Sequence, residues 1–304
     1  MTADFVGKVT EDSLPEEWYV GNALGGGARF YLSPYVDGRT RRFAIDTSRV
    51  SVNVVPKFSG ASWIERIERV PSEWAEVNGF VFTGCANLEY ADLSGCDFGG
   101  RTSLYRMFSS CGKLKTVLMP EGRMEQFVGV NEMFASCVAL ESVDLSAVRN
   151  VSDMNRVFNG CKGLRGVRFA EDMSYSGTGF LYVFTDCKDL EGVDLGTADF
   201  GAVNNQGRAF WCGTPGPKSI RIRGVGGNEK TDVWKDCFRC PSWGDGGEDN
   251  RQSILYSLLE HSCDRTANGW ETAQVGLPQA VLDRITDDEK AAIGAKGYSL
   301  VVLR

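Results

Sequence analysis

Phe134-Ala-Ser-Cys137-Val-Ala-Leu140-Glu-Ser-Val143-Asp-Leu145 is a phrase that the chain repeats. Its skeleton, Phe-x-x-Cys-x-x-Leu-x-x-Val-x-Leu, occurs upstream as Phe82/Cys85/Leu88/Ala91/Leu93 and Phe108/Cys111/Leu114/Val117/Met119. It returns downstream as Phe158/Cys161/Leu164/Val167/Phe169 and Phe184/Cys187/Leu190/Val193/Leu195. Successive phenylalanines are 24 or 26 residues apart. A fixed period in that range signals units that stack into a solenoid.

Weaker copies extend the array at both ends. Phe58-Ser-Gly-Ala61-Ser-Trp-Ile64 keeps the spacing with Ala in the Cys slot. Phe210 follows Phe184 by 26 residues, with Cys212 one position early, and Trp234-Lys-Asp-Cys237 restores an aromatic-x-x-Cys pair. Within a unit, Val151, Met154, Val157, Phe158, Cys161 and Leu164 fall at spacings of three and four, which predicts a short helix starting near Ser152 or Asp153. Leu164-x-x-Val167-x-Phe169 then alternates as a strand would, and it matches the strand phrase of leucine-rich repeats. The expected fold is an α/β leucine-rich-repeat solenoid of about eight units of 24–27 residues, with a parallel sheet, over residues 51–248. One unit alone buries too few side chains to offset the entropy of ordering its backbone, so its stability must come from its neighbours.

The ends read differently. Residues 1–50 form a β-rich segment, a cap or a docking piece, with a hairpin around Asp37-Gly38. Residues 249–304 form an α/β cap. It has a helix over Gln252–His261, a strand over Thr272–Leu277, a helix opened by the capping box Thr286-Asp-Asp-Glu289 and stopped at Gly297, and a last strand from Tyr298.

Ten cysteines would point to disulfides in a small secreted domain. Here Cys85, Cys111, Cys137, Cys161, Cys187 and Cys237 hold one slot in successive units, which stacks them into a column of buried, reduced thiols. Phe82, Phe108, Phe134, Phe158, Phe184 and Trp234 would form the neighbouring aromatic column. The net charge of −7 opposes nucleic-acid binding, and no apolar run is long enough to span a membrane. Met1-Thr-Ala-Asp-Phe-Val-Gly-Lys8 does not read as a signal peptide.

The phrases Asn131-Glu-Met-Phe-Ala-Ser-Cys-Val-Ala-Leu-Glu-Ser-Val-Asp-Leu-Ser146 and Val151-Ser-Asp-Met-Asn-Arg-Val-Phe-Asn-Gly-Cys161 resemble the BspA-type leucine-rich repeats of bacterial surface proteins and mycoplasma-type lipoproteins. The resemblance covers residues 58–240. The tail from Leu282 to Leu300 is similar to the terminal unit that follows such repeats in gut-bacterial and prophage-encoded proteins. The resemblance implies surface display, adhesion and partner binding, and it carries no catalytic motif.

Alternation turns Asp144, Arg168, Asp194 and Arg221 outward on successive strands, as a ladder of alternating charge. This ladder is either a mutually neutralised surface or part of a ligand-binding face. Arg168 between Asp144 and Asp194 argues against calcium. Trp211 and Trp243, in irregular stretches, are candidate contact aromatics. Cys237, Cys240, His261 and Cys263 could be imagined around zinc, but Cys237 has a core role, so no metal is expected. His261 is the only histidine, so any His-based catalysis would have to use it.

The expected function is non-enzymatic binding or adhesion without a cofactor. The protein would be displayed on a phage particle for host recognition, or on a bacterial surface, and would contact a cell-surface glycan or protein. The alternative is a structural virion component, a spacer, fibre or decoration without its own ligand. Residues 1–50 would meet other virion proteins, with no nucleic acid and no membrane insertion, and an oligomer is compatible with either role.

Overall fold

The computed structural model describes the strand residues between 4 and 46, and residues 58–70, 81–204, 210, 212, 217–238 and 248–303. The Val-x-Leu segments are the strands. Arg66–Arg69, Tyr90–Asp92 and Thr116–Leu118 pair in parallel, in chain order. Ser142–Leu145 pairs with Gly166–Phe169, and Gly192–Asp199 with Ser219–Arg223, also in parallel. Equivalent residues face one another: Ala91 opposite Val117, Val143 opposite Val167, Val193 opposite Ile220. In Ser142–Leu145, Val143 and Leu145 are buried and Ser142 and Asp144 exposed, as one-sided burial of a strand requires. The Glu191 N–H reaches the Arg165 carbonyl at 2.9 Å, linking the later ladders.

The expected helix is absent from the repeat units among the described residues. Val148–Asp153 is instead a strand, the centre of a second parallel sheet with Met124–Gly129 and Ser174–Tyr175. Consecutive tight turns follow it. Four of the turn regions hold two left-handed residues four apart, such as Glu132 (φ 54°) and Ser136 (φ 63°), or Arg156 (φ 56°) and Gly160 (φ 77°). A left-handed residue cannot continue a right-handed helix. Their N–H groups bond the next unit instead: Glu132 to the Asn155 carbonyl at 3.0 Å, Ser136 to Asn159 at 2.7 Å and Gly160 to Thr185 at 2.8 Å. Hydrogen bonds that a helix would spend internally thus hold neighbouring units together. The stripe that suggested a helix is still the buried stripe, since Val151, Met154, Val157, Phe158, Cys161 and Leu164 are all core.

Phenylalanine rings run through that core in one row. Phe58, Phe82, Phe108, Phe134, Phe158, Phe184, Phe210 and Phe238 stack with centroids 5.2–5.7 Å apart and planes within 13°. The last member corrects the expectation for Trp234. The Phe210 N–H bonds the Cys237 carbonyl, as Phe158 bonds Val183, so Phe238 takes the phenylalanine position. Trp234, four residues earlier, is buried against Phe238 at 6.4 Å. Cys237 therefore occupies the place of Val157 and Val183 and leaves the thiol column.

Both ends of the run of repeat strands are covered. Glu17–Gly21, Gly27–Asp37, Thr40–Asp46 and Asp4–Val6 form an antiparallel sheet in that order, and Asp4–Val6 pairs antiparallel with Arg66–Arg69. The hairpin closes with Asp37 opposite Thr40. At the other end, helix Glu248–Ile254 continues as a π-helix, Leu255–Glu260. Ser253 and Ser257, one turn apart, accept from the Ile220 and Ile222 N–H groups at 3.2 and 3.3 Å, so the last strand has no bare edge there. Ala273–Leu277 and Tyr298–Val302 pair in parallel. Helix Asp287–Ala295 opens with the Thr286/Glu289 capping box, and Gly297 adopts φ 87° after it.

Candidate binding groove

The thiol column explains why Cys recurs. Cys111 Sγ donates to the Phe82 carbonyl at 3.1 Å, Cys137 to Phe108 at 3.0 Å, Cys161 to Phe134 at 3.0 Å and Cys187 to Phe158 at 3.1 Å. Cys85 does the same to Phe58 at 3.0 Å. Each thiol thus bonds the phenylalanine one unit back. Ala61 stands in the first copy, which has no preceding repeat phenylalanine to accept such a bond. These cysteines are free and buried, and burial holds the Cys137, Cys161 and Cys187 thiols well above their ordinary range. All the Phe, Cys and Trp residues assigned to the core column are buried, Trp234 and Cys237 in the shifted places described above.

Surface chemistry gathers on the outer face of the repeat strands. Three depressions lie along it, of about 740, 490 and 560 Å³. Arg168, Phe169 and Glu171 line both the first and second, and Val167 and Asp194 both the second and third, so they form one groove. Leu118, 40 % exposed, lies at one end. Arg221 and Arg223, with Tyr256 from the π-helix, lie at the other. Asp144, Arg168, Asp194 and Arg221 all lie on its walls.

The expected charge ladder closes at one rung only. Arg168 Nη1 meets Asp144 Oδ2 at 3.2 Å. Asp194 and Arg221 are register partners, but their side chains turn elsewhere. Asp194 accepts from the Gly196 N–H at 3.0 Å, while Arg221 lies over the Tyr256 ring at 5.4 Å. The turn bond is a property of the repeated Asp: Asp92 takes the Ser94 N–H at 2.9 Å and Asp144 the Ser146 N–H at 2.8 Å. The Asp after the inward-facing Val or Ala is thus a turn former first, which local bonding favours at strand ends. Partial burial acts to raise the Asp144 carboxyl, but the Ser146 hydrogen bonds and Arg168 outweigh it and hold it below its usual range.

Arg223 and Tyr256 were missed in the sequence. Arg223 was legible, since Ile220-Arg-Ile222-Arg alternates and places both arginines on one face. Tyr256 was not, because the extra residue per turn of the π-helix shifts its direction. His261 stacks tilted on Tyr256 at 4.3 Å, outside the groove walls. Trp211, Trp243 and Cys240 lie outside the described residues. Among the described residues, no group of three His, Cys, Asp or Glu is placed to hold a metal, and no helix is long and apolar enough to cross a membrane.

The sequence model of the BspA type leucine rich repeat region matches six copies, over residues 56–165 and 104–205. Residues 56–205 are a BspA-type leucine-rich repeat region. No curated protein and no solved structure matches it. BspA-type repeats belong to surface and adhesion proteins, and here they supply the groove strands from Thr116–Leu118 to Gly192–Asp199. The groove's far end, at Arg221, Arg223 and Tyr256, comes from beyond the matched repeats.

Proposed function

We propose that the stacked units form one continuous leucine-rich-repeat solenoid of about eight turns, and that it is a non-enzymatic binding protein on a phage particle or bacterial surface. It contacts a cell-surface glycan or protein through the groove on its strand face. The carrying observation is the continuity of that groove over successive strands, with exposed charged side chains along its walls. It crosses five strands, about 19 Å at ~4.8 Å per spacing, a length suited to an extended ligand. The reading needs no cofactor, metal or nucleic acid. The N-terminal sheet, joined to the first repeat strand, serves as the attachment end.

The test is retention on whole host cells and on a glycan array, comparing the protein with an Asp144→Asn/Arg168→Gln variant. Binding that falls at least about tenfold in the variant, with unchanged melting, supports the groove, because charge-assisted contacts carry that much. Equal binding by the two proteins sinks it. Failure of the parent to bind anything favours the spacer alternative.

A further inference from the structure

We infer that Arg221, Arg223 and Tyr256 form an anion subsite at the C-terminal end of the groove, for an acidic substituent on an extended polysaccharide. The inference rests on the groove being the binding surface, and it names the class of ligand.

Arg221 and Arg223 flank the buried Ile222 and project from the same face of their strand. Same-face neighbours are about 6.6 Å apart, close enough for one carboxylate, sulfate or phosphate to meet both guanidiniums. Other arginines on the groove walls already have carboxylates: Arg168 has Asp144 at 3.2 Å, and Arg123 has Asp172 at 3.6 Å. Arg221 and Arg223 form no ion pair with a described residue. Both guanidiniums lie against the Tyr256 ring, at 5.4 and 5.8 Å. Arg223 Nε donates to Tyr256 Oη at 2.9 Å. The phenol oxygen is therefore an acceptor to arginine, and its own proton is left to donate. The arrangement gathers two like charges and an O–H donor around one ring on the groove wall; Asp194, held by the Gly196 N–H, and Asp249 line the same depressions without an ion pair to either arginine among the described residues. An anion there would relieve the repulsion between the two guanidiniums.

The choice of polysaccharide follows from the wall. The strands pair with one another through their backbones, so this face offers no sheet edge to a peptide. A peptide lying across it would bring one N–H and one carbonyl per residue with only side chains to meet them. Sugar hydroxyls donate and accept at once, and suit a wall that carries both carboxylates and guanidiniums.

Polygalacturonate (carboxylate) and dextran sulfate (sulfate) are the probes, with neutral dextran and polyglutamate as controls. Binding is measured by calorimetry for the parent, Arg221→Gln/Arg223→Gln and Tyr256→Phe, with melting curves for each. The expected result is binding of one or both acidic polysaccharides, absent for dextran. It weakens roughly tenfold or more in the double variant and by a smaller factor in Tyr256→Phe. The proposal is overturned if neither acidic polysaccharide binds, if dextran binds as well, if polyglutamate binds more tightly than both, or if the double variant folds and binds unchanged. If a neutral glycan binds and only Asp144→Asn/Arg168→Gln abolishes it, the groove stands and the anion subsite falls.

Discussion

The run of repeat strands and the sheet around Val148–Asp153 share one core but treat their outer charges differently. On the sheet around Val148–Asp153, Arg149 meets Glu125 at 3.1 Å and also Asp172, which in turn takes Arg123 at 3.6 Å. Asn150 Nδ2 donates to the Glu125 carbonyl at 2.6 Å. Those charges pair from unit to unit. On the strand face with the groove, Arg168 pairs with Asp144, Asp194 folds onto its own turn, and Arg221 and Arg223 gather on Tyr256, while the Arg123–Asp172 pair in the first depression joins this face to the Arg149 network. In this chain strict repetition marks the groups that hold units together. Departure from it, at the end of the groove, leaves Arg221 and Arg223 without an ion pair among the described residues.

The largest effect should come from the core that both faces share. Phe134→Ala removes a ring stacked on both sides and should cost about 3–5 kcal/mol in denaturant unfolding, taking any binding with it. A loss under ~1 kcal/mol would deny the stack its role. Cys137→Ala should cost about 1–2 kcal/mol through the lost methylene-sized volume and thiol bond, whereas Ala61→Ser should gain no equivalent bond. The same thiols set a pH limit. Their ionisation is raised in the folded state, so the unfolded chain releases their protons first, and stability should be intact below about 9 and fall as pH rises beyond it. Denaturant midpoints flat from pH 8 to 10.5 would contradict that.

Smaller effects should separate the two faces. Arg149→Ala breaks a two-carboxylate network and should lower the denaturation midpoint more than it weakens ligand binding. Arg168→Ala breaks one exposed pair and should cost at most about 0.5 kcal/mol, while binding drops. Chemical denaturation and cell-binding assays run on both variants would show the crossed pattern. The reverse pattern would move the binding surface to the other sheet.

The repeat was legible because its period fixes which residues stack, whatever conformation they adopt. Spacings of three and four identified the buried stripe from Val151 to Leu164 correctly but not its shape. A coil with left-handed residues at Arg156 and Gly160 turns its side chains inward with the same spacing as a helix. The left-handed positions carry Arg, Glu, Tyr, Ser and Asp as well as Gly, so no residue type announces them. Trp234 was misplaced because the last unit lengthens, with Phe238 following Phe210 by 28 residues, and pattern matching takes the nearest aromatic. The groove's candidates were legible from strand alternation. Their partners were not, since Asp194 finds Gly196 and Arg221 finds Tyr256, 35 residues later in the chain.

Leu118 and Phe127 are reporters already in place, 40 % and 46 % exposed, one in the groove and one on the opposite sheet. Hydroxyl-radical footprinting, with and without a polysaccharide retained on the array, tests the central claim most directly. Protection of Leu118 and Tyr256, with Phe127 labelled equally in both samples, is the predicted result. Protection of Phe127 with Leu118 unchanged would contradict it.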